Sequence, residues 1–270
     1  YSIVYLPWDA MIIGLDGSRA IVLWWNFPAY QLLISGGVLV SVGILVWRTR
    51  ATCRLDRAVD TALLSLGLCL FLARVEYVIL NWAYFADMPE EILSLSAGGL
   101  GAHGAIIGAI LGGGLGVRWF GVDLRSWLGA LSYALPILAF AVWWGCAASS
   151  CAYGREVANL ADNPTWLVWE ARGDFLELAP RYAVQSLGMV LSALAIVFVT
   201  VMGLARVSER LRVGLSLLIV ILCSFWLGFL RGDPSPHLGG VRVDQLLDGF
   251  LIVVAIAFMV LPRRHTVSAS

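Results

Sequence analysis

The sequence predicts an all-α, multi-pass membrane protein with about seven transmembrane helices. Hydrophobic residues make up 60% of the 270 residues, and charged residues make up only 13%. A typical soluble domain carries about 25% charged residues. Several apolar stretches of about 20 residues, enough to cross about 30 Å of hydrocarbon, alternate with short polar loops. The formal net charge is zero, so no basic balance indicates nucleic-acid binding. We predict one transmembrane domain over residues 1–270.

Seven apolar stretches of suitable length follow one another along the chain, and each is predicted to be a transmembrane helix. Their approximate bounds are 30–47, 60–82, 97–117, 126–146, 182–205, 213–230 and 244–261. Segment 1–29 contains no continuous apolar span, and segment 147–181 is too polar to cross. Both segments are rich in tryptophan, which favours the membrane interface. We therefore predict that both lie at the outer surface of the membrane.

The arginines favour one end of the predicted bundle. All eighteen basic residues are arginine, and eleven of them fall in segments 48–59, 118–125 and 206–212 and in the C-terminal tail. The segments on the other side hold six. Loops rich in arginine stay in the cytoplasm. The distribution therefore predicts a cytoplasmic C-terminus and, with seven spans, an N-terminus outside.

The second predicted span carries polar side chains in an apolar setting. Arg74, Tyr77 and Asn81 follow the helical spacing i, i+3, i+7, so they share one face. A guanidinium offers a planar fork of donors that suits a phosphate or a carboxylate. This face predicts an anion-binding role. The alternative is an internal ion pair of Arg74 with Glu76 or Asp248 that holds helices in register.

The third predicted span, AGGLGAHGAIIGAILGGGLGV, holds His103 in an otherwise uncharged stretch. Gly104, Gly108, Gly112 and Gly116 recur every fourth residue, and small residues at this spacing let another helix backbone approach closely. An ionisable group within the membrane is costly, so it usually faces a polar cavity or a partner. Two interpretations follow: a packing helix with a hydrogen-bonded histidine, or a wall of a polar pocket that His103 faces.

Two cysteines lie close together after the fourth span. Cys146 and Cys151 are five residues apart, so on a continuous helix their side chains point in different directions. A disulfide would require the helix to end between them. We expect two free or packed thiols.

The last two spans meet at a charged loop. Arg231, at the end of the sixth span, is either an interfacial arginine or part of a polar site. Asp244 opens the seventh span, where the helix dipole favours an acidic residue. Asp248 lies one turn deeper and is harder to explain without a function. His103 and the two loop histidines, His237 and His265, show no metal-ligand spacing, so we predict neither a metal nor a cofactor.

Several segments in this order resemble the bacterial phosphatidylglycerol–prolipoprotein diacylglyceryl transferases. The longest is RVEYVILNWAYFADMPEEILSLSAGGLGAHGAIIG, which is similar to the family's Arg–Tyr–Asn helix, acidic connector and Gly-Gly–His-Gly helix. The segment GCAASSCAYGRE is similar to the family's signature loop, whose final glycine matches Gly154. FLRGD followed by Gln245 resembles the closing Arg–acid–Gln pattern, APRYAVQ resembles a further family motif, and Tyr30 matches a tyrosine of the first span.

The resemblance implies transfer of a diacylglyceryl group from phosphatidylglycerol to a lipoprotein cysteine thiol in the bacterial inner membrane. A thiolate is the reactive nucleophile, and a phosphate leaving group needs cationic donors. The resemblance assigns catalysis to His103 and Tyr30. It implies a phosphatidylglycerol-like lipid as partner, with lipoproteins or other membrane subunits as further candidates. The implied phospholipid-binding residues are Arg74, Tyr77, Asn81, Gly104, Gly154, Arg231 and Gln245.

The chain departs from the family at several charged positions. Trp143, Cys146 and Cys151 stand where the signature loop carries an arginine, an asparagine and a glutamate, and Ser224 and Gly228 stand where the sixth span carries an arginine and a glutamate. Losing one preorganised donor costs about 2.7–4 kcal/mol of transition-state stabilisation. These departures predict a phospholipid-binding protein without the family's usual catalysis, serving as a structural or accessory subunit. The alternative is an active transferase.

Overall fold

The computed structural model describes residues 29–94, 99–173 and 177–261, and the chain is mostly helical over these ranges. The predicted outer segment 1–29, apart from its last residue, and the tail after residue 261 lie outside the described residues. Two short 3₁₀ helices, Pro89–Glu91 and Leu160–Asp162, lie in connecting segments. The α-helices are α1 (Ala29–Thr49), α2 (Leu55–Leu80), α3 (Trp82–Asp87), α4 (Ala102–Phe120), α5 (Leu124–Ser149), α6 (Val184–Leu204), α7 (Glu209–Gly228) and α8 (Val243–Val260).

The mostly helical membrane fold that the sequence predicts is confirmed. Among the described residues, six helices are long and apolar enough to cross a membrane, namely α1, α2, α5, α6, α7 and α8. Helix α4 occupies much of the third predicted span and contains His103 and Arg118, and it is not among these six. The count of seven spans and the orientation of the termini therefore stay predictions.

Two short antiparallel hairpins interrupt the helical pattern. Strand β1 (Val168–Arg172) pairs with β2 (Leu178–Tyr182), within the segment predicted to lie at the outer interface. Strand β3 (His237–Leu238) pairs with β4 (Val241–Arg242) between α7 and α8. The second hairpin turns at two glycines with φ values of 59° and 82°. A two-residue hairpin loop with positive φ at both positions favours glycine, which explains the Gly-Gly pair at this turn.

Helices α2 and α4 lie in backbone contact along the glycine face of α4. A Cβ atom added at Gly104 or Gly108 would collide with the main-chain carbonyl of the facing α2 residue, Leu72 or Leu68. At Gly112 the added atom would lie 2.7 Å from the Leu64 carbonyl oxygen. The glycine spacing predicted this close approach, because residues four apart face the same neighbour. The contact sets the height of α4 against α2 and therefore the position of His103.

The core of the bundle lies around α5. Trp127, Leu131 and Leu135 of this helix are at most 6% exposed, and they pack against Ile221 of α7 and Leu251 of α8. A buried polar link adds to this contact, because the Ser216 hydroxyl of α7 donates to the main-chain carbonyl of Ser132 in α5 at 2.7 Å. The core holds α7 and α8 in place, and their ends carry charged residues of the site described next.

Candidate active site

The side chain of His103 meets two carboxylates, and the three groups come from three different helices. Its Nδ1 lies 2.9 Å from Oε1 of Glu76 in α2, and its Nε2 lies 2.9 Å from Oδ1 of Asp248 in α8. The three side chains are 10%, 12% and 2% exposed, in the order His103, Glu76 and Asp248. A histidine with carboxylates on both ring nitrogens is an ion-pair network, and such groups are rare between membrane helices unless they serve a function.

Glu76 is held by the beginning of α4 as well as by the imidazole. The main-chain N–H of Gly104 donates to Oε2 of Glu76 at 2.6 Å. This N–H belongs to the first turn of α4, where amide groups have no partner within the helix and the helix dipole favours a negative charge. A Cβ atom at Gly101 would collide with the same carboxylate, so the chain leaves room for it. Both oxygens of Glu76 are therefore occupied by donors.

The charge state of the carboxylates decides the hydrogen-bonding role of the imidazole. When both carboxylates are ionised, both ring nitrogens of His103 donate, and the imidazole is a cation without a free lone pair. The unit then carries a net charge of −1. Asp248 offers a second oxygen in addition to the one that bonds His103. In this state the Asp248 oxygen that does not bond His103 is available to a further donor, while the imidazolium links the three helices.

The second-helix residues Arg74 and Tyr77 face the connector between α3 and α4. The Arg74 guanidinium donates to the main-chain carbonyls of Glu91, Ile92 and Gly99 at 2.6, 2.8 and 2.9 Å. The same guanidinium lies 5.7 Å from the centre of the Tyr77 ring. These bonds use the donor fork that the sequence assigned to an anion. The contacts give Arg74 a role in holding the connector, and its predicted role in phospholipid binding stays a prediction.

We expect Arg74→Lys to loosen the connector without unfolding the bundle. A lysine ammonium is a compact point charge and cannot reach three carbonyls in the fixed directions of a guanidinium. Hydrogen exchange of the amides at residues 90–94 should rise about tenfold or more, because a lost charged hydrogen bond is worth about 1.5 kcal/mol or more. Exchange in α5 should stay at the wild-type level. Unchanged exchange at residues 90–94 would contradict this role.

A second charged cluster lies where α7 ends and α8 begins. Arg231 forms a two-pronged ion pair with Asp233, with N–O distances of 2.8 and 2.5 Å, and its Nη1 lies 3.6 Å from Asp244. Arg242 contacts the same two carboxylates at 3.4 and 3.2 Å. Burial by itself lowers the pKa of Arg231, but the Asp233 hydrogen bond and the nearby charges of Asp233, Asp244 and Asp248 outweigh it and raise that pKa. The cluster therefore adjoins the His103 site through Asp248, one turn along α8 from Asp244.

Gly154 and Gln245 lie near the second cluster, and Asn81 lies at the end of α2. Gly154 forms an antiparallel bridge with Arg231, and a Cβ at Gly154 would collide with the Tyr182 carbonyl. Gln245 is 5% exposed and donates to the Phe225 carbonyl at 3.2 Å. Asn81 caps the end of α2 and donates to the Tyr77 carbonyl at 2.8 Å.

Tyr30 is the predicted site residue that lies apart from both charged clusters. It begins α1, and its ring faces α5, where a Cβ at Gly145 would lie 3.0 Å from the Tyr30 ring. Gly145 is next to Cys146, so Tyr30 lies beside the segment that resembles the signature loop. Its contacts show how it packs, and its predicted catalytic role stays a prediction.

A sequence model of the prolipoprotein diacylglyceryl transferases matches residues 20–261. The chain belongs to this family. Phosphatidylglycerol–prolipoprotein diacylglyceryl transferases from Bacillus cereus (strain ZK / E33L) and Bacillus anthracis (strain CDC 684 / NRRL 3495) are 28% identical over 252 residues, which cover 88% of this chain and 89% of each relative. The relative from Clostridium novyi (strain NT) is 27% identical over 235 residues, covering 86% of this chain and 90% of its own. Like its family, the protein is a multi-pass protein of the bacterial inner membrane.

The cysteines in the signature loop of this transferase-family protein form a disulfide, so our prediction of two free thiols is wrong. Cys146 and Cys151 are bonded to each other. Helix α5 ends at Ser149, and Ser150 adopts a left-handed conformation with φ of 59°, so the chain turns back and brings the two sulfurs together. The Gln185 amide donates to the Cys151 carbonyl at 2.8 Å. A covalent link and an amide contact therefore fix a loop that carries charged residues in the family pattern.

We expect Cys146→Ser/Cys151→Ser to lower the free energy of unfolding by about 2 kcal/mol or less, because the disulfide closes a short loop. An SDS titration in mixed micelles measures this change. Addition of a reductant supplies the matched control. It should lower the stability of the wild-type protein and leave the serine variant unchanged. Equal sensitivity of both proteins to the reductant would contradict the bond.

Two central residues of the site are missing from our sequence-based assignment. Glu76 entered only as a possible partner for Arg74, and Asp248 entered as such a partner or as an acidic residue that is hard to explain without a function. In the structure both bind His103. A carboxylate within an apolar span is the signal that identifies each of them individually. The sequence does not predict that both carboxylates pair with the same imidazole, because they are 27 and 145 residues away from it. Asp233, the acid of the FLRGD pattern, and Arg242 were also not assigned to the site.

Proposed function

We propose that this protein is an active transferase that moves the diacylglyceryl group of a phosphatidylglycerol-like lipid to a cysteine thiol of a lipoprotein. The names of its relatives describe that reaction, and the chain matches them over most of their length. One observation carries the proposal: the buried Glu76–His103–Asp248 unit. Three ionisable groups in a membrane bundle are expensive unless they are used, and this unit offers a proton acceptor in a site with little water.

The proposed reaction forms one bond and breaks another. The cysteine thiol gives its proton to the carboxylate–imidazole unit, with Asp248 as the proposed acceptor. The thiolate sulfur then attacks the terminal carbon of the diacylglyceryl group. A carbon–sulfur bond forms, the carbon–oxygen bond to phosphate breaks, and glycerol phosphate leaves with the bonding electrons. The thiolate is needed because a thiol is a poor nucleophile.

The Arg231–Arg242 cluster is the proposed binding site for the phosphate. Negative charge grows on the phosphate oxygens as the bond breaks, and guanidinium groups in a partly buried position stabilise that charge strongly. In the described structure the two arginines pair with Asp233 and Asp244. Phosphate binding would replace part of these ion pairs. Tyr30, beside the signature loop, is a proposed second catalytic side chain.

A second candidate function is supported by a specific observation. Trp143 and the Cys146–Cys151 disulfide stand where the family pattern has charged or polar groups, and the Trp143 ring packs against Gly188 of α6. Both arginines of the phosphate cluster already have carboxylate partners. A protein with this site would bind phospholipid without turnover and act as an accessory subunit of a membrane assembly.

One experiment separates the two candidates. The purified full-length chain is placed in phosphatidylglycerol nanodiscs with a peptide that carries a lipobox cysteine, and products are measured by mass spectrometry. The proposed transferase yields a diacylglyceryl thioether and an equal amount of glycerol phosphate. Phosphatidylglycerol that stays bound to the protein itself, without either product, supports the accessory function. Absence of both product and bound lipid contradicts both candidates.

A further inference from the structure

Four arginines gather at the end of the bundle opposite the candidate active site. Arg48 lies at the end of α1, Arg50 directly follows that helix, and Arg125 and Arg212 lie near the beginnings of α5 and α7. His103 lies near the other end, where α4 begins. Helix α5 has 26 residues and separates the two ends by roughly 39 Å at 1.5 Å per residue. The arginines therefore serve neither the His103 unit nor the Arg231 cluster directly.

The arginines surround an open cleft, which we call the arginine cleft. It has a volume of about 520 Å³ and lies between α1, α5 and α7. Arg48, Arg50 and Arg125 line it together with the hydroxyl of Ser126. Glu209 contributes a carboxylate to its wall. The three guanidinium groups are donors that bind phosphate oxygens. The Ser126 hydroxyl already donates to the Asp123 carboxylate at 2.9 Å.

A fourth guanidinium lies buried behind this lining. Arg212 is 3% exposed, and its Nε donates to the Ser132 hydroxyl at 3.0 Å. Its Nη2 is buried and has no hydrogen-bond partner among the described residues. A Cβ atom at Gly129 would lie 3.0 Å from this Nη2, 3.2 Å from Cγ of Glu209 and 3.4 Å from Nη2 of Arg48. The two guanidinium groups therefore converge above Gly129, and both lie against the Tyr133 ring, 5.3 and 5.4 Å from its centre.

The charges of the arginine cleft are not balanced within the described part of the chain. No ion pair within 4.0 Å joins any of the four arginines to Glu209 or to another described carboxylate. Two carboxylates lie beside the four guanidinium groups: Glu209 in the wall, and Asp123, which accepts from Ser126 and interacts electrostatically with Arg125. The cluster therefore carries a net charge of +2. Like charges held this close repel each other, and a buried donor without an acceptor is costly. A bound anion removes both penalties.

The position of the cleft indicates where that anion is found. Trp47 lines the cleft and is 60% exposed at the end of a membrane-spanning helix. Exposed tryptophans at helix ends favour the headgroup region of a bilayer. Basic pockets between helices at that depth bind anionic headgroups. We propose that the arginine cleft is a second anion site that binds a phosphate group, either of an anionic phospholipid headgroup or of free phosphate.

Native mass spectrometry of the full-length chain in detergent tests this site. The probes are phosphatidylglycerol, phosphatidylcholine with the same acyl chains, and inorganic phosphate. The variant Arg48→Gln/Arg125→Gln removes two lining charges, and it should bind one phosphatidylglycerol per chain at least about tenfold more weakly than the wild type. Arg118→Gln, an exposed arginine at the same end of the bundle, should bind as the wild type does.

A charge-conserving variant and the comparison of probes distinguish a lipid ligand from free phosphate, and lost charge from a disturbed fold. Arg48→Lys/Arg125→Lys keeps both charges and should retain most of the binding, which separates lost charge from a disturbed fold. A lipid ligand is supported if the glutamine variant loses phosphatidylglycerol binding and the other variants keep it. Binding of inorganic phosphate with the same dependence on the variants supports free phosphate as the source. The proposal is overturned if the glutamine variant binds phosphatidylglycerol and inorganic phosphate as strongly as the wild type does. None of these outcomes depends on transfer activity at His103.

Discussion

His103→Leu is expected to abolish diacylglyceryl transfer and to lower the free energy of unfolding by about 3–5 kcal/mol. The substitution removes the cation between two buried carboxylates and leaves the volume almost unchanged. Glu76 and Asp248 each lose a hydrogen bond of 2.9 Å, and two like charges then face one another without a counter-ion. The effect is large because an unpaired buried charge costs far more than an intact pair contributes.

Two further variants identify the origin of that loss. His103→Leu/Asp248→Leu removes one of the stranded carboxylates and should recover part of the stability, because an apolar replacement of a buried ion pair is often neutral. It should recover no transfer activity. His237→Gln alters an exposed histidine of the second hairpin and should change the stability by less than about 0.5 kcal/mol. A His103→Leu protein as stable as the wild type would contradict the ion-pair network.

Gly108→Ala is expected to be the second most damaging change, with a loss of about 2–3 kcal/mol of unfolding free energy. The new methyl group would collide with the Leu68 carbonyl and lie 2.7 Å from the Cα of Cys69. Both atoms are main chain, so neither can rotate away, and α4 must move off α2. This movement separates His103 from Glu76, so transfer should slow together with the loss of stability.

A glycine on the same helix provides the matched control for this change. Gly114 has no atom within 4 Å of an added Cβ, and it is exposed. Gly114→Ala should leave the stability unchanged or raise it by up to about 1 kcal/mol, because alanine favours the helix over glycine. An SDS titration of both variants measures the two effects. Equal losses for Gly108→Ala and Gly114→Ala would show that close helix contact is not the cause.

The features that sequence predicted well are periodic and local. The apolar stretches gave the helices, because each stretch carries its own signal over about 20 residues. Gly104, Gly108 and Gly112 predicted a close helix neighbour, since a four-residue spacing places them on one face. The sequence did not identify α2 as that neighbour, but the structure places its backbone there.

The features that sequence missed depend on how distant segments meet. Arg74 has the side chain of an anion-binding residue, yet its donors bond the carbonyls of a connector whose path is set by tertiary packing. The side chains of Cys146 and Cys151 were expected to point in different directions because a continuous helix was assumed, whereas the chain turns at Ser150. The meeting of Asp248 with His103 requires α8 to dock beside α4, and no local pattern specifies that arrangement.

The rate of thioether formation by Asp248→Asn tests the central claim most directly. Asparagine has the shape of aspartate and can still accept a hydrogen bond from His103, so the fold is expected to persist while the proposed proton acceptor is lost. In phosphatidylglycerol nanodiscs with a lipobox peptide, the wild-type protein should form product, and Asp248→Asn should be at least about 100-fold slower. Asp87→Asn, an exposed carboxylate at the end of α3, should stay within about twofold of the wild-type rate. A wild-type rate in Asp248→Asn would contradict the assignment of this buried unit as the catalytic centre.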